Sequence, residues 1–140
     1  MRIHAAVAAL AVAGLASCAP PARNFTEEEL KKVSSYQEIM WYLATQADPA
    51  FDYAKGADPA SIPPEKVAWL GETGRKLRVA AARLAEPAFS KGAGYDKAAA
   101  AFAEKAKALE LAAATKDGAK AVQATRDVKG ACAACHAAFR

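Results

Sequence analysis

The sequence predicts an all-α fold, an antiparallel four-helix bundle, on the strength of three features. Apolar residues recur at steps of three and four in four separate stretches. Pro, Gly and Asp-Pro pairs punctuate those stretches, and no segment alternates apolar and polar residues as a strand would. The 140 residues suit one domain, and a hydrophobic content of 54% argues against disorder. Much of that content is alanine, the strongest helix former but one that buries little area per residue. Close-packed helices are favoured, with room for something other than bulky side chains in the interior. The formal charge of +4 is modest and the basic residues are interspersed with acidic ones, which excludes a nucleic-acid footprint.

The first predicted helix starts at the capping box Thr26-Glu27-Glu28-Glu29. It carries Leu30, Val33, Tyr36, Met40, Leu43 and Ala47 on one face and ends at Asp48-Pro49, with a short helical turn following as far as Gly56. Pro63-Pro64 opens the second, whose stripe is Val67, Leu70, Gly74, Leu77, Ala81 and Leu84, and Pro87 follows its end. A glycine-rich link leads to the third stripe, Tyr95, Ala99, Phe102, Ala106, Leu109 and Ala113. The turn Thr115-Lys116-Asp117-Gly118 then precedes a fourth helix with Val122, Thr125, Val128, Cys132, Cys135 and Phe139. In such a bundle cofactors sit between facing helices.

Upstream of these helices, Arg2 and the apolar run 5–15 have the charge order and length of a secretory signal peptide, too short to span a bilayer. The run closes on Leu15-Ala16-Ser17-Cys18, which resembles the bacterial lipobox. That resemblance implies cleavage after residue 17 and acylation of Cys18; the alternative is an ordinary cut near Ala19 that discards Cys18. Residues 18–25 then form an acylated, proline-stiffened tether, and 26–140 the globular domain. Either way the chain leaves the cytoplasm. Ala19, where retention in the inner membrane usually takes Asp, implies a lipid anchor in the outer membrane facing the periplasm.

The segment 131–140, ACAACHAAFR, holds two of the three cysteines and one of the two histidines. On a helix Cys132, Cys135 and His136 share a face. Cys-x-x-Cys-His is the attachment sequence of a c-type haem: the thiols add to the two vinyl groups and the histidine ligates iron. A structural zinc needs four ligands, and beyond Cys18 the mature chain offers only these three Cys and His side chains. A redox dithiol belongs at a helix start beside a βαβ unit, and this chain has none. A local disulfide in a haem-free structural lipoprotein is permitted outside the cytoplasm but leaves His136 unexplained.

With these residues in view, the chain resembles the class II cytochromes c, the family of cytochrome c′ and cytochrome c-556. They are four-helix bundles with the haem motif near the carboxyl terminus, and the likeness covers roughly residues 26–140. The resemblance implies one covalent haem c on Cys132 and Cys135, with His136 as proximal ligand. It also implies that Arg140, after Phe139, lies near His136; a solvated terminus is the alternative. Family members commonly carry Arg four residues before the distal Leu or Met. Aligning Met40 with that distal residue puts Tyr36 there instead, so propionate contacts inferred for the Arg do not carry over.

His4 leaves with the signal peptide, which excludes bis-His ligation within one chain. Met40 is the only mature methionine. As the sixth ligand it gives a low-spin electron carrier; as core filler it leaves a five-coordinate iron that binds NO or CO. The basic cluster Arg75, Lys76, Arg78 and Arg83 reads as a solvated face, with docking of an acidic partner or a propionate contact as the other reading. Trp41, Trp69, Tyr36, Phe102 and Phe139 are candidates to pack round the macrocycle or to fill an ordinary core. No nucleophile–base pair, phosphate loop or carboxylate pair stands out, so no enzymatic turnover is expected. The expected function is single-electron transfer in the bacterial envelope. Its partners are redox proteins and the membrane, through the lipid anchor, and a homodimer is left open.

Overall fold

The structure is a computed structural model that describes residues 26–139. The expected signal peptide, the tether with Cys18, and Arg140 lie outside the described residues, so the expectations placed on them are carried by the sequence alone. The described residues contain no strand. They form α1 (Glu27–Lys32), α2 (Tyr36–Gly56), α3 (Pro64–Leu84), α4 (Ala93–Ala114) and α5 (Gly118–Phe139), with short 3-10 turns at Pro59–Ser61 and Pro87–Phe89. The four long helices make the predicted bundle. Each has 21 or 22 residues, close to 30 Å at the α-helical rise.

The stripes expected for the second and third crossings are buried along their whole length in α3 and α4. These two helices approach closely because Gly71 and Gly74 face α4. A Cβ at Gly74 would lie 2.7 Å from the backbone nitrogen of Glu110, and one at Gly71 would lie 2.8 Å from the Ala113 Cβ. On α5, Val122, Thr125 and Val128 are buried, whereas Cys132, Cys135 and Phe139 are half-buried.

The first crossing differs from expectation in two ways. The helix begun by the Thr26–Glu29 capping box stops at Lys32, and α2 begins afresh at Tyr36. Val33 turns extended and its N–H bonds to the Leu30 carbonyl at 3.2 Å, with Ser34 and Ser35 in the break. Serine hydroxyls compete for backbone groups, which favours such interruptions. The freed Val33 carbonyl accepts from the Arg83 guanidinium on α3. Leu30 and Val33 stay buried, so the apolar spacing survives although the helix does not.

The second difference is that Asp48-Pro49 does not end the helix. Pro49 lies inside α2, where its ring removes one ladder hydrogen bond. Packing overrides that loss: Ala50 and Ala54 beyond it are fully buried, and the Ala54 carbonyl, orphaned near the helix end, accepts from Arg126 on α5 at 2.9 and 3.2 Å.

The basic cluster expected as a solvated face is occupied by ion pairs. Arg75 meets Glu27 and Glu72, Arg78 meets Glu110 at 2.8 Å, and Arg83 meets Glu86. Glu27 belongs to α1 and Glu110 to α4, so the cluster also ties α3 to its neighbours.

Candidate functional site

An apolar cavity of about 350 Å3 opens between α2 and the other three long helices, within the size range of cofactor sites. Its α2 wall is Gln37, Met40, Trp41, Leu43, Ala44, Ala47, Asp48 and Phe51, neighbours on one side of the helix. Ile39, Tyr42, Ala50 and Ala54 lie on a different, fully buried face of the same helix. Met40 is half-buried at the cavity, on the stripe that its spacing shares with Leu43 and Ala47, which line the cavity with it. Leu77 and Leu84 of α3 and Ala99 and Phe102 of α4 close the back. Cys132, Cys135 and His136 line the α5 side.

The structure thus brings Met40, Cys132, Cys135 and His136 to one cavity. Their level in the bundle follows from a ring cluster at one end. Tyr36, the first residue of α2, lies 6.2 Å from Tyr95 between ring centroids, and Phe139, the last of α5, lies 5.7 Å from the same ring. From that shared level Met40 is four residues along α2, ~6 Å, and His136 is three residues back along α5, ~4.5 Å. The two therefore sit at nearly the same depth in the bundle.

Both thiols are free. Burial, with Cys135 and Asp48 adding to it, pushes the Cys132 thiol up to about 11; burial also raises Cys135, against the nearby Lys91 charge. Both are therefore protonated at neutral pH, the form that adds across a vinyl group. His136 is exposed at the cavity rim. Tyr95 is 1% exposed, lines the cavity, and its hydroxyl has no hydrogen-bond partner among the described residues. Burial, with Tyr36 beside it, pushes that phenol up, although the two hydroxyls do not meet in bonding geometry.

Of the aromatic residues singled out by sequence, Trp41 and Phe102 line the cavity and Tyr36 and Phe139 close its end against Tyr95. Trp69 does not take part; it packs edge-on to Tyr53 at 5.8 Å. Sequence reasoning missed Tyr95 as a site residue and counted it as core. Among the described residues no three His, Cys, Asp or Glu side chains converge to hold a metal ion directly. Two thiols and an imidazole on one face of an apolar cavity with an orphaned hydroxyl fit an iron carried by a large planar ligand.

The sequence model of the cytochrome C′ family matches residues 65–140, just over half the chain. The chain belongs to the cytochrome c′ family. It is accordingly a haem c cytochrome, and the match takes in α3, α4, α5 and the whole Cys-x-x-Cys-His segment. No curated protein and no solved structure matches the chain. The family membership displaces the haem-free disulfide reading. The match begins after α2, so the wall that carries Met40 lies outside it.

Proposed function

We propose that this cytochrome carries single electrons in the bacterial envelope through one haem c, held by thioethers to Cys132 and Cys135, with His136 and Met40 as axial ligands. The observation that carries the reading is that Met40 and His136 line one apolar cavity from opposite helices at matching depth. When bound, the haem supplies a reversible one-electron ferric–ferrous couple, and a Met/His ligand pair raises its potential. Cys132 and Cys135 fix the group to α5, and His136, adjacent to Cys135, places its imidazole at the rim from the same helix. Met40 offers a neutral thioether from α2 and carries no proton to release. Leu77, Ala99 and Phe102 keep water off the back face. The chain performs no enzymatic turnover in this reading. Acylated Cys18 anchors it in the membrane facing the periplasm, with redox proteins of the envelope as its partners.

Optical and magnetic spectra of haem-loaded protein test the assignment. The ferric form is expected to be low-spin with a sulfur-to-iron charge-transfer band, and Met40→Ala to become high-spin and bind CO readily. A second reading draws on the family match itself: a five-coordinate iron that binds NO or CO, with Met40 only lining the cavity. A wild type that is already high-spin and takes up CO without hindrance establishes that reading and removes the first.

A further inference from the structure

We propose that Lys55, Arg126 and Lys129 form a phosphoryl-binding pocket at the carboxyl end of α2, a site for a phosphate-bearing ligand that is separate from the haem cavity.

A cavity of about 290 Å3 opens where the last turns of α2 meet the middle of α5, lined by Phe51, Ala54, Lys55, Thr125, Arg126 and Lys129. Three of these residues are cationic and none is acidic. Among the described residues no carboxylate pairs with Lys55, Arg126 or Lys129, whereas Arg75, Arg78, Arg83, Lys105 and Lys120 each meet one. The acids on the flanking turns are engaged elsewhere. Asp127 accepts from Gln123 at 2.9 Å and faces Lys105 at 3.9 Å, and Asp48 lines the haem cavity. Asp52, one turn before Lys55, does not line the pocket.

Two of the three cations are held in place. Arg126 donates through Nε and Nη2 to the Ala54 carbonyl at 3.2 and 2.9 Å, which fixes the plane of its guanidinium. A guanidinium has five N–H donors, so three are left for a ligand. The Lys129 ammonium lies 5.9 Å from the centroid of the Phe51 ring, a cation–π contact at the pocket wall. Capping of α2 does not account for the whole cluster: a helix end carries about half an elementary charge, and the Ala54 carbonyl is already covered by Arg126. A phosphoryl group brings more than one negative charge and points oxygens in several directions, so it can accept from cations on different walls at once, which a flat carboxylate cannot. Phe51 also lines the haem cavity, so the two sites lie side by side and share one wall.

Calorimetric titration of haem-loaded protein with inorganic phosphate at constant ionic strength is expected to show saturable binding, and the melting temperature to rise with phosphate. Lys55→Gln and Lys129→Gln should each weaken that binding about tenfold, the loss of one charged hydrogen bond. Lys107→Gln, at an exposed lysine of α4 outside the pocket, should leave it unchanged. Vesicles of phosphatidylglycerol present the same chemistry as a lipid headgroup, and Cys18→Ser protein is used with them so that no acyl chain contributes. Sedimentation with the vesicles that is lost on adding Lys129→Gln but kept with Lys107→Gln assigns the pocket to a headgroup. Binding of free phosphate without the vesicles assigns it to a soluble phosphorylated ligand. If neither probe binds, or if Lys107→Gln weakens binding as much as Lys129→Gln does, the proposal is overturned and the three cations only cap α2 and face solvent. Optical spectra recorded alongside report the haem separately, so either result leaves the axial-ligand reading where it stood.

Discussion

Gly74→Ala and Gly130→Ala are the same substitution in two helices, and the structure predicts opposite signs. At Gly74 on α3 a new Cβ would sit 2.7 Å from the Glu110 nitrogen, 3.0 Å from the Ala106 carbonyl oxygen and 3.0 Å from Leu109 Cγ. Two of those three atoms are backbone of α4 and cannot rotate away. Overpacking of this kind costs ~1–3 kcal/mol. Replacing glycine by alanine inside a helix returns ~0.8–1.0 kcal/mol of propensity. The difference spans ~0–2 kcal/mol, and the rigidity of the obstacle places the net loss at Gly74 in the upper half, ~1–2 kcal/mol.

At Gly130 on α5 nothing lies within 4 Å of the added atom and the residue is exposed. Only the propensity gain of ~0.8–1.0 kcal/mol remains. At ~4 °C per kcal/mol for a domain of this size, Gly74→Ala should lower the melting temperature by ~4–8 °C and Gly130→Ala raise it by ~4 °C. Circular dichroism melts of haem-loaded protein read both. If Gly74→Ala melts at or above the wild-type temperature, α3 and α4 are not in the contact described, and the back wall of the cavity, built from Leu77, Ala99 and Phe102, is misplaced with them.

Three further outcomes are expected. In haem-free protein Cys132 should alkylate more slowly than Cys135, with a rate that rises about tenfold per pH unit until pH about 11. Because burial raises its pKa above the unfolded value of 9.0, the stability that Cys132 contributes is complete below pH 9 and lost as pH climbs towards 11; equal alkylation rates for the two thiols would contradict the burial that sets them apart. Lys116 has φ 59° in the turn between α4 and α5, so Lys116→Gly should stabilise the protein by about 1 kcal/mol in urea unfolding. Cys18→Ser should release the protein from membranes on fractionation, and recovery of the wild type wholly in the soluble periplasmic fraction would refute the anchor.

The parts of the fold legible in the sequence are those governed by local rules. The stripes of α3 and α4 are apolar at strict three-and-four spacing between prolines and glycines, and their burial follows residue for residue. The haem motif is legible because Cys132, Cys135 and His136 are close in sequence and therefore close in space. The first crossing was less legible, since Leu30, Val33 and Tyr36 keep helical spacing across a break. Ser34-Ser35 was the local signal for that break. Pro49 misled in the opposite direction: its penalty is local, whereas the contacts of Ala50, Ala54 and Arg126 that outweigh it are tertiary. Tyr95 could be read as apolar from its spacing, but the isolation of its hydroxyl depends on which helices surround it.

The axial-ligand question turns on how α2 is held. The α3–α4 pair closes through Gly71 and Gly74, and α5 lies along α4, so the back of the cavity is fixed by close helix packing. The α2 wall packs through Ile39, Tyr42, Ala50 and Ala54 and is fastened in addition by polar clamps at both ends. Arg83 grips the Val33 carbonyl where α2 begins, and Arg126 grips the Ala54 carbonyl where it finishes. Each clamp joins a charged group to a backbone oxygen that a helix terminus had left without a partner. The helix break and the internal proline thus serve one geometry. The break frees the Val33 carbonyl for the Arg83 clamp, and continuation through Pro49 extends the same wall to Phe51 and to the Arg126 clamp. A shorter α2 ending at Asp48 would have lost Phe51 and the second clamp, leaving Met40 on a helix anchored at one end only. The position of Met40 along the cavity is then set jointly by the buried face of α2 and by two arginine–carbonyl contacts, one at each end of the helix.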